Sequence, residues 1–346
     1  MRHRWLRIFG LLLAFTLVAA ACGDDDDAGS GDTSSEEETG RKVGLVFDIG
    51  GRGDKSFNDS AYEGLTKAAD ELGVEVKSLE PDEGGENREQ LLRDMADEGF
   101  ELIIGVGFAF ADTMAPVAGD YPDTEFAIID AVVDAENVTS LTFAEQEGSY
   151  LMGVVAALKS TTGKVGFVGG VESELIKKFE AGFVAGAKAA KPEVTVEVKY
   201  LSPEGDFSGF RDPAKGKTVA EGLYDGGADV VYHAAGGSGS GVFEAAVEKG
   251  GLAIGVDSDQ YLTAPPEQQA VIVTSMLKRV DVAVFETIKS FTEGELDGGV
   301  RTFDLAGGGI DYSISGGQVD DIKPQLDVFK QQIIDEEVEV PTEPGG

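Results

Sequence analysis

From residue 42 onward the chain alternates short, continuously apolar runs with amphipathic stretches of helical length. Ten runs read as strands, at 42–47, 74–79, 102–106, 124–129, 138–143, 164–168, 194–200, 229–234, 252–256 and 271–275. Between them, 60–72, 87–98, 145–159, 175–190, 213–225, 241–249 and 279–291 carry the helical period. Strands that are apolar on both faces need cover on both faces, so the alternation predicts parallel sheets with helices on either side. Right-handed crossovers then give a doubly wound α/β architecture. Ten strands are many for one twisted sheet, and two similar sheets are the expectation. The first set runs from 42 to about 143 and the second from about 164 to 256. Each opens on a short strand with an early glycine, Val43-Gly44-Leu45-Val46-Phe47 and Val165-Gly166-Phe167-Val168.

The N-terminus constrains location rather than fold. Arg2, Arg4 and Arg7 precede an apolar run ending in Leu17-Val18-Ala19-Ala20-Ala21-Cys22, which reads as a signal peptide, 1–21, with a small-residue cleavage site. Cys22, the only cysteine, follows the cut, and the segment resembles the lipobox of bacterial lipoproteins, in which that thiol is acylated. The implied location is the extracytoplasmic face of the cell membrane, held by lipid. Residues 23–40 contain eight acids, no bases and no large apolar side chain, and read with Cys22 as a disordered acidic tether, 22–41. Residues 336–346 read as a second acidic tail. With Cys22 acylated, no thiol is left for a disulfide, a metal or nucleophilic catalysis.

The formal net charge is −36. Phosphate binding requires clustered Lys and Arg, so nucleic acid is excluded as a partner. Such acidity also suits a protein working in high salt, where self-repulsion is screened.

In open α/β sheets the ligand sits beyond the carboxyl ends of the strands. The loops there are rich in Gly, Asp, Asn, Ser and Phe: Asp48 to Ser60, Gly107-Phe108-Ala109-Phe110, Asp130-Ala131, Phe207-Ser208-Gly209-Phe210, Gly236 to Gly241, and Asp257-Ser258-Asp259-Gln260. Glycine admits close backbone approach, carboxylates and amides pair with hydroxyls and base edges, and phenylalanine offers a flat face. That mixture suits a small polar ligand with an aromatic part. Lys55-Ser56 follows glycines, but Asp54 stands where a phosphate-binding loop has its glycine. His233 ends a strand that reads as buried, and no His pair or Ser–His–Asp set can be assembled. No metal or cofactor is expected, and the chain does not read as an enzyme.

Four loops together, Lys55-Ser56-Phe57-Asn58, Ala234 to Phe243, Gly255 to Gln260 and Thr274-Ser275-Met276-Leu277-Lys278, resemble the basic membrane protein family of bacterial lipoproteins over about residues 42–330. These are substrate-binding proteins of ABC importers, typified by purine nucleoside receptors. The resemblance implies a type I periplasmic-binding-protein fold, two doubly wound lobes joined by three crossings. The expected division is 42–144 with 260–295 as the N-terminal lobe, and 145–259 with 296–335 as the C-terminal lobe. The partners it implies are a purine nucleoside and an ABC permease, with the chain a monomer. A sugar or autoinducer receptor of the same fold is the alternative. In the site so implied, Asn58 bonds the purine edge with Asp130 opposite, and Phe210 or Phe207 stacks on the base, with Phe108 a second face. Asp257 and Lys278 hold the ribose hydroxyls, with Asp257 also a partner for the Lys278 charge and Gly237 backbone close by. Asp48, Ser56 and Phe57 line the cleft.

Overall fold

A computed structural model describes residues 40–345. The expected signal peptide, Cys22 and nearly all of the acidic tether lie outside the described residues. The strands are β1 (Lys42–Val46), β2 (Glu75–Leu79), β3 (Leu102–Gly105), β4 (Glu125–Ile129), β5 (Val138–Phe143), β6 (Lys164–Val171), β7 (Thr195–Ser202), β8 (Val230–Ala234), β9 (Leu252–Asp257), β10 (Ile272–Lys278), β11 (Gly299–Phe303) and β12 (Ile310–Tyr312). They form two six-stranded sheets, ordered β11-β5-β4-β3-β1-β2 and β12-β10-β9-β8-β6-β7. The first is parallel throughout. In the second, β12 alone runs antiparallel, on β10. The two orders are the same pattern, so β4 matches β9, β3 matches β8 and β2 matches β7. Central strands such as Leu102–Gly105 and Val230–Ala234 are buried along their whole length, as strands covered on both faces must be.

Five helices matter to the site: α1 (Phe57–Leu72), α2 (Arg88–Asp97), α3 (Ala111–Asp120), α4 (Glu145–Lys159) and α5 (Glu174–Ala190). The chain passes between the sheets three times, from β5 into α4, from β10 into the helix Val280–Glu293 that packs on α1, and from β11 to β12. α4 and α5 lie against each other backbone to backbone. A Cβ at Gly186 would collide with the Tyr150 carbonyl, so only glycine permits the approach.

Two segments of the expected division change lobes. β10 lies between β9 and β12, so 272–278 belongs to the second sheet, and β11 pairs with β5, so 299–303 belongs to the first. β10 stays in the sheet of β9, while β11 reaches β5 only after a crossing, and strand counting in sequence order reveals neither pairing. The segment after 335 is not a free tail, because Val338 packs on the core and Val340 is 8% exposed. α3 lacks a sequence signature since Pro116 interrupts its period. β11 was hidden because Val300 in it faces solvent, and β12 because it has three residues.

Candidate functional site

The carboxyl ends of strands from both sheets converge on one cavity with about 550 Å³ of empty space, partly open to solvent. Asp48 follows β1, Phe108 follows β3, Asp130 follows β4, Phe210 follows β7 and Gly237 follows β8, while Asp257 and Lys278 end β9 and β10. Phe57 and Asn58 reach it from the first turn of α1. Two of the expected residues are not on its wall. Ser56 is fully buried and its hydroxyl donates to Asp257 Oδ2 at 2.5 Å. Phe207 packs on Phe108, with ring centroids 5.5 Å apart.

Asp54 organises the first loop and was passed over in the sequence. Its carboxylate accepts the backbone N–H groups of Ser56, Asn58 and Asp59 at 3.0, 2.8 and 3.1 Å, and Asn58 Nδ2 at 3.1 Å. It thereby satisfies donors that the start of α1 leaves open, because Ser56, at the N-cap position, makes no capping bond. The signal was present as an aspartate two residues before the cap. Asn58 sits inside the helix. Its Oδ1 accepts from Asp48 N–H at 2.8 Å, so one Nδ2 hydrogen remains for another partner.

Burial dominates the carboxylates. It pushes Asp48 up to about 7, against the backbone N–H of Ile49 and the charge of Arg88, which pull it down. It pushes Asp257 to about 7 as well, against Lys278 and the Ser56 hydroxyl. Asp130 is raised by burial and drawn back by Lys278.

Lys278 is 1% exposed, yet it is well partnered. Its Nζ lies 2.6 Å from the Asp130 carboxylate and 3.2 Å from Glu145 Oε1 at the start of α4. Burial works against the ammonium, but Asp130, Glu145 and Asp257 outweigh it and hold its pKa above the ordinary lysine value. The rings of Phe143, Phe57 and Phe179 stand 4.9, 5.2 and 5.7 Å away. The expected Asp257–Lys278 pair is therefore replaced. The register sets Leu277 beside Asp257, which turns Lys278 to the other face, toward the crossing where Asp130 and Glu145 meet. Lys278 ends β10, two residues before the helix that begins at Val280.

The apolar wall comes from Phe57, Phe108 and Phe210 together with Leu175, Ile176 and Phe179 of α5. The α5 residues were missed because their helical spacing reads equally well as core. Phe108 and Phe210 meet edge to face at 6.5 Å, whereas Phe110 is fully buried in the first lobe's core. No described helix is long and apolar enough to cross a membrane.

The model of the Bmp family, ABC transporter substrate-binding proteins of the PnrA-like kind, matches residues 41–343. The chain belongs to this family. It is 34% identical to the ABC transporter nucleoside-binding protein BmpA of Lactococcus lactis subsp. cremoris, over 99% of this chain and all of that one. It is 37% identical to an uncharacterised lipoprotein of Pyrococcus abyssi, over 89% of this chain and 76% of the relative. Among solved structures, an ABC transporter solute-binding protein of Aeropyrum pernix aligns with a TM-score of 0.78 at 30% identity, over 88% of this chain and 94% of the other. The Bmp chain is thus a substrate-binding protein of an ABC transporter, with the two-lobed type I periplasmic-binding-protein fold, and not an enzyme.

Proposed function

We propose that the chain captures a purine nucleoside between its two lobes and delivers it to an ABC permease, as a monomer held on the extracytoplasmic face of the membrane by acylated Cys22. The observation that carries this reading is a cavity walled by Phe108 and Phe210 and floored by strand-end carboxylates from both lobes. A base stacked on one face of such a ring gains roughly 1–3 kcal/mol. Hydroxyls donated to an ionised carboxylate add about 1.5–3 kcal/mol each. In this reading Asp257, with the Gly237 backbone, holds the ribose, and Asn58 and Asp48 face the base edge. Lys278, already neutralised by Asp130 and Glu145, holds the two lobes' carboxylates in place around it. The nucleoside-binding relative and the lipoprotein relative support the ligand and the anchor respectively. Closure of the lobes on the ligand is the working motion, and no bond is made or broken.

Calorimetry of the signal-less protein against adenosine, guanosine, inosine, cytidine and ribose tests it. Heat with purine nucleosides is expected. Heat with ribose alone and silence with every nucleoside would transfer the site to free sugars.

A further inference from the structure

The loop after β2 in the first lobe is the counterpart of the loop after β7 that carries Phe207 and Phe210 in the second. The two meet across the cleft. Arg211 Nη1 lies 2.8 Å from Glu83 Oε1, and the Arg88 guanidinium lies 5.3 Å from the Phe207 ring and 5.8 Å from that of Phe110. Nε and Nη2 of Arg88 are both buried, and neither has a hydrogen-bond partner. These two nitrogens form one edge of the guanidinium, the fork that grips two adjacent acceptors at once. A buried charged donor with no acceptor is costly, so an empty fork calls for a partner that arrives. Gly85 leaves room for the fork. Its φ is +70°, and a Cβ there would fall 2.6 Å from the Arg88 Cζ. Asp48, on the cavity wall, is the carboxylate whose charge Arg88 feels.

The chemistry of that pair is selective. A 6-oxopurine presents two acceptors, O6 and N7, on one edge, which suits a bidentate arginine. Its neighbouring N1–H is a donor, which suits a carboxylate. Adenine presents an amino donor where O6 would be, and a guanidinium meets it donor to donor. We propose that Arg88 is a specificity-determining residue that swings its fork onto the O6/N7 edge of a 6-oxopurine, while Asp48 accepts from N1–H. This rests on the nucleoside reading and narrows it to guanosine and inosine over adenosine.

Calorimetry with guanosine, inosine and adenosine tests it on wild type, Arg88→Gln and Arg88→Lys, with thermal midpoints as the folding control. Wild type binds the two oxopurine nucleosides at least about tenfold more tightly than adenosine, in line with a bidentate pair. Arg88→Gln abolishes that preference and changes adenosine affinity less than about threefold. Arg88→Lys, which keeps the charge without the fork, reduces the preference too, and serves if the glutamine variant does not fold. Equal or tighter adenosine binding by wild type, or equal losses for all three ligands, overturns the role of Arg88 while leaving nucleoside binding intact. Silence with all three ligands removes the nucleoside reading itself, and the Arg88 proposal with it.

Discussion

Asp130 and Asp257 hold the same place in the two lobes. Each stands at the carboxyl end of the third strand from the edge that β11 or β12 forms, each lines the cavity, and each has a left-handed backbone, with φ of 69° and 64°. Left-handed geometry costs an ordinary L-residue roughly 1–2 kcal/mol, less for Asp, whose side chain bonds locally. The conformation aims each carboxylate into the cleft from its own side. Asp257→Ala keeps the strain and removes the carboxylate, whereas Asp257→Gly removes both. We expect the alanine variant to be less stable than the glycine variant by about 1 kcal/mol in urea unfolding. Both lose at least about 1.5 kcal/mol of ligand binding in calorimetry.

Asp48 predicts a pH effect with a definite sign. Burial raises its pKa to about 7 from 3.8. The folded chain therefore holds a proton that the unfolded chain has lost between about pH 4 and 7, and stability falls as pH rises through that window. Asp48→Asn removes this penalty. Its unfolding free energy should exceed that of wild type at pH 8, by on the order of 2 kcal/mol, with the advantage vanishing near pH 4. A constant difference across the range would mean that Asp48 titrates normally.

Lys278 pairs with two buried acids from different lobes. Lys278→Met leaves Asp130 unpaired and Glu145 with Lys178 alone, 3.5 Å away, and the loss should be about 3–5 kcal/mol in chemical denaturation. Adding Asp130→Asn and Glu145→Gln to the same chain should restore most of it, which a purely steric role for Lys278 would not allow.

The two candidate stacking rings separate cleanly. Phe210 is on the cavity wall, and Phe207 is turned to Phe108 and Arg88. Phe210→Ala should weaken nucleoside binding by about 1–3 kcal/mol. Phe207→Ala should weaken it by less, measured in the same titrations.

A net charge of −36 repels itself in dilute buffer. The thermal midpoint should rise by several degrees between dilute buffer and molar KCl as that repulsion is screened. An unchanged midpoint would remove the link between this acidity and salt.

The alternation of apolar runs and helical stretches made the doubly wound architecture legible, because strands such as β3 and β8 are buried on both faces and show it in their residue types. Asp48 and Asn58 follow β1 and Asp257 ends β9, where such sheets keep their ligand sites, and the structure places all three on the cavity wall. Three things stayed out of reach. The partner of Lys278 depends on strand register, and one residue's shift turns a side chain to the other face. The lobe of β10 and of β11 depends on pairing between strands far apart in the chain. Leu175, Ile176 and Phe179 have helical spacing whether they meet a ligand or a core, and only the position of α5 decides between the two.

The late pairing of β11 with β5 has a consequence for biogenesis. β5 has its outer edge covered by β11, which begins at Gly299, after the whole central part of the second lobe. A chain emerging from its N-terminus therefore presents Val138–Phe143 as an open edge until residues 299–303 have been delivered. Unpaired edges of that kind recruit other chains. The first lobe cannot finish before the second is nearly complete, so holding the emerging polypeptide apart from its neighbours during export becomes a requirement of this topology.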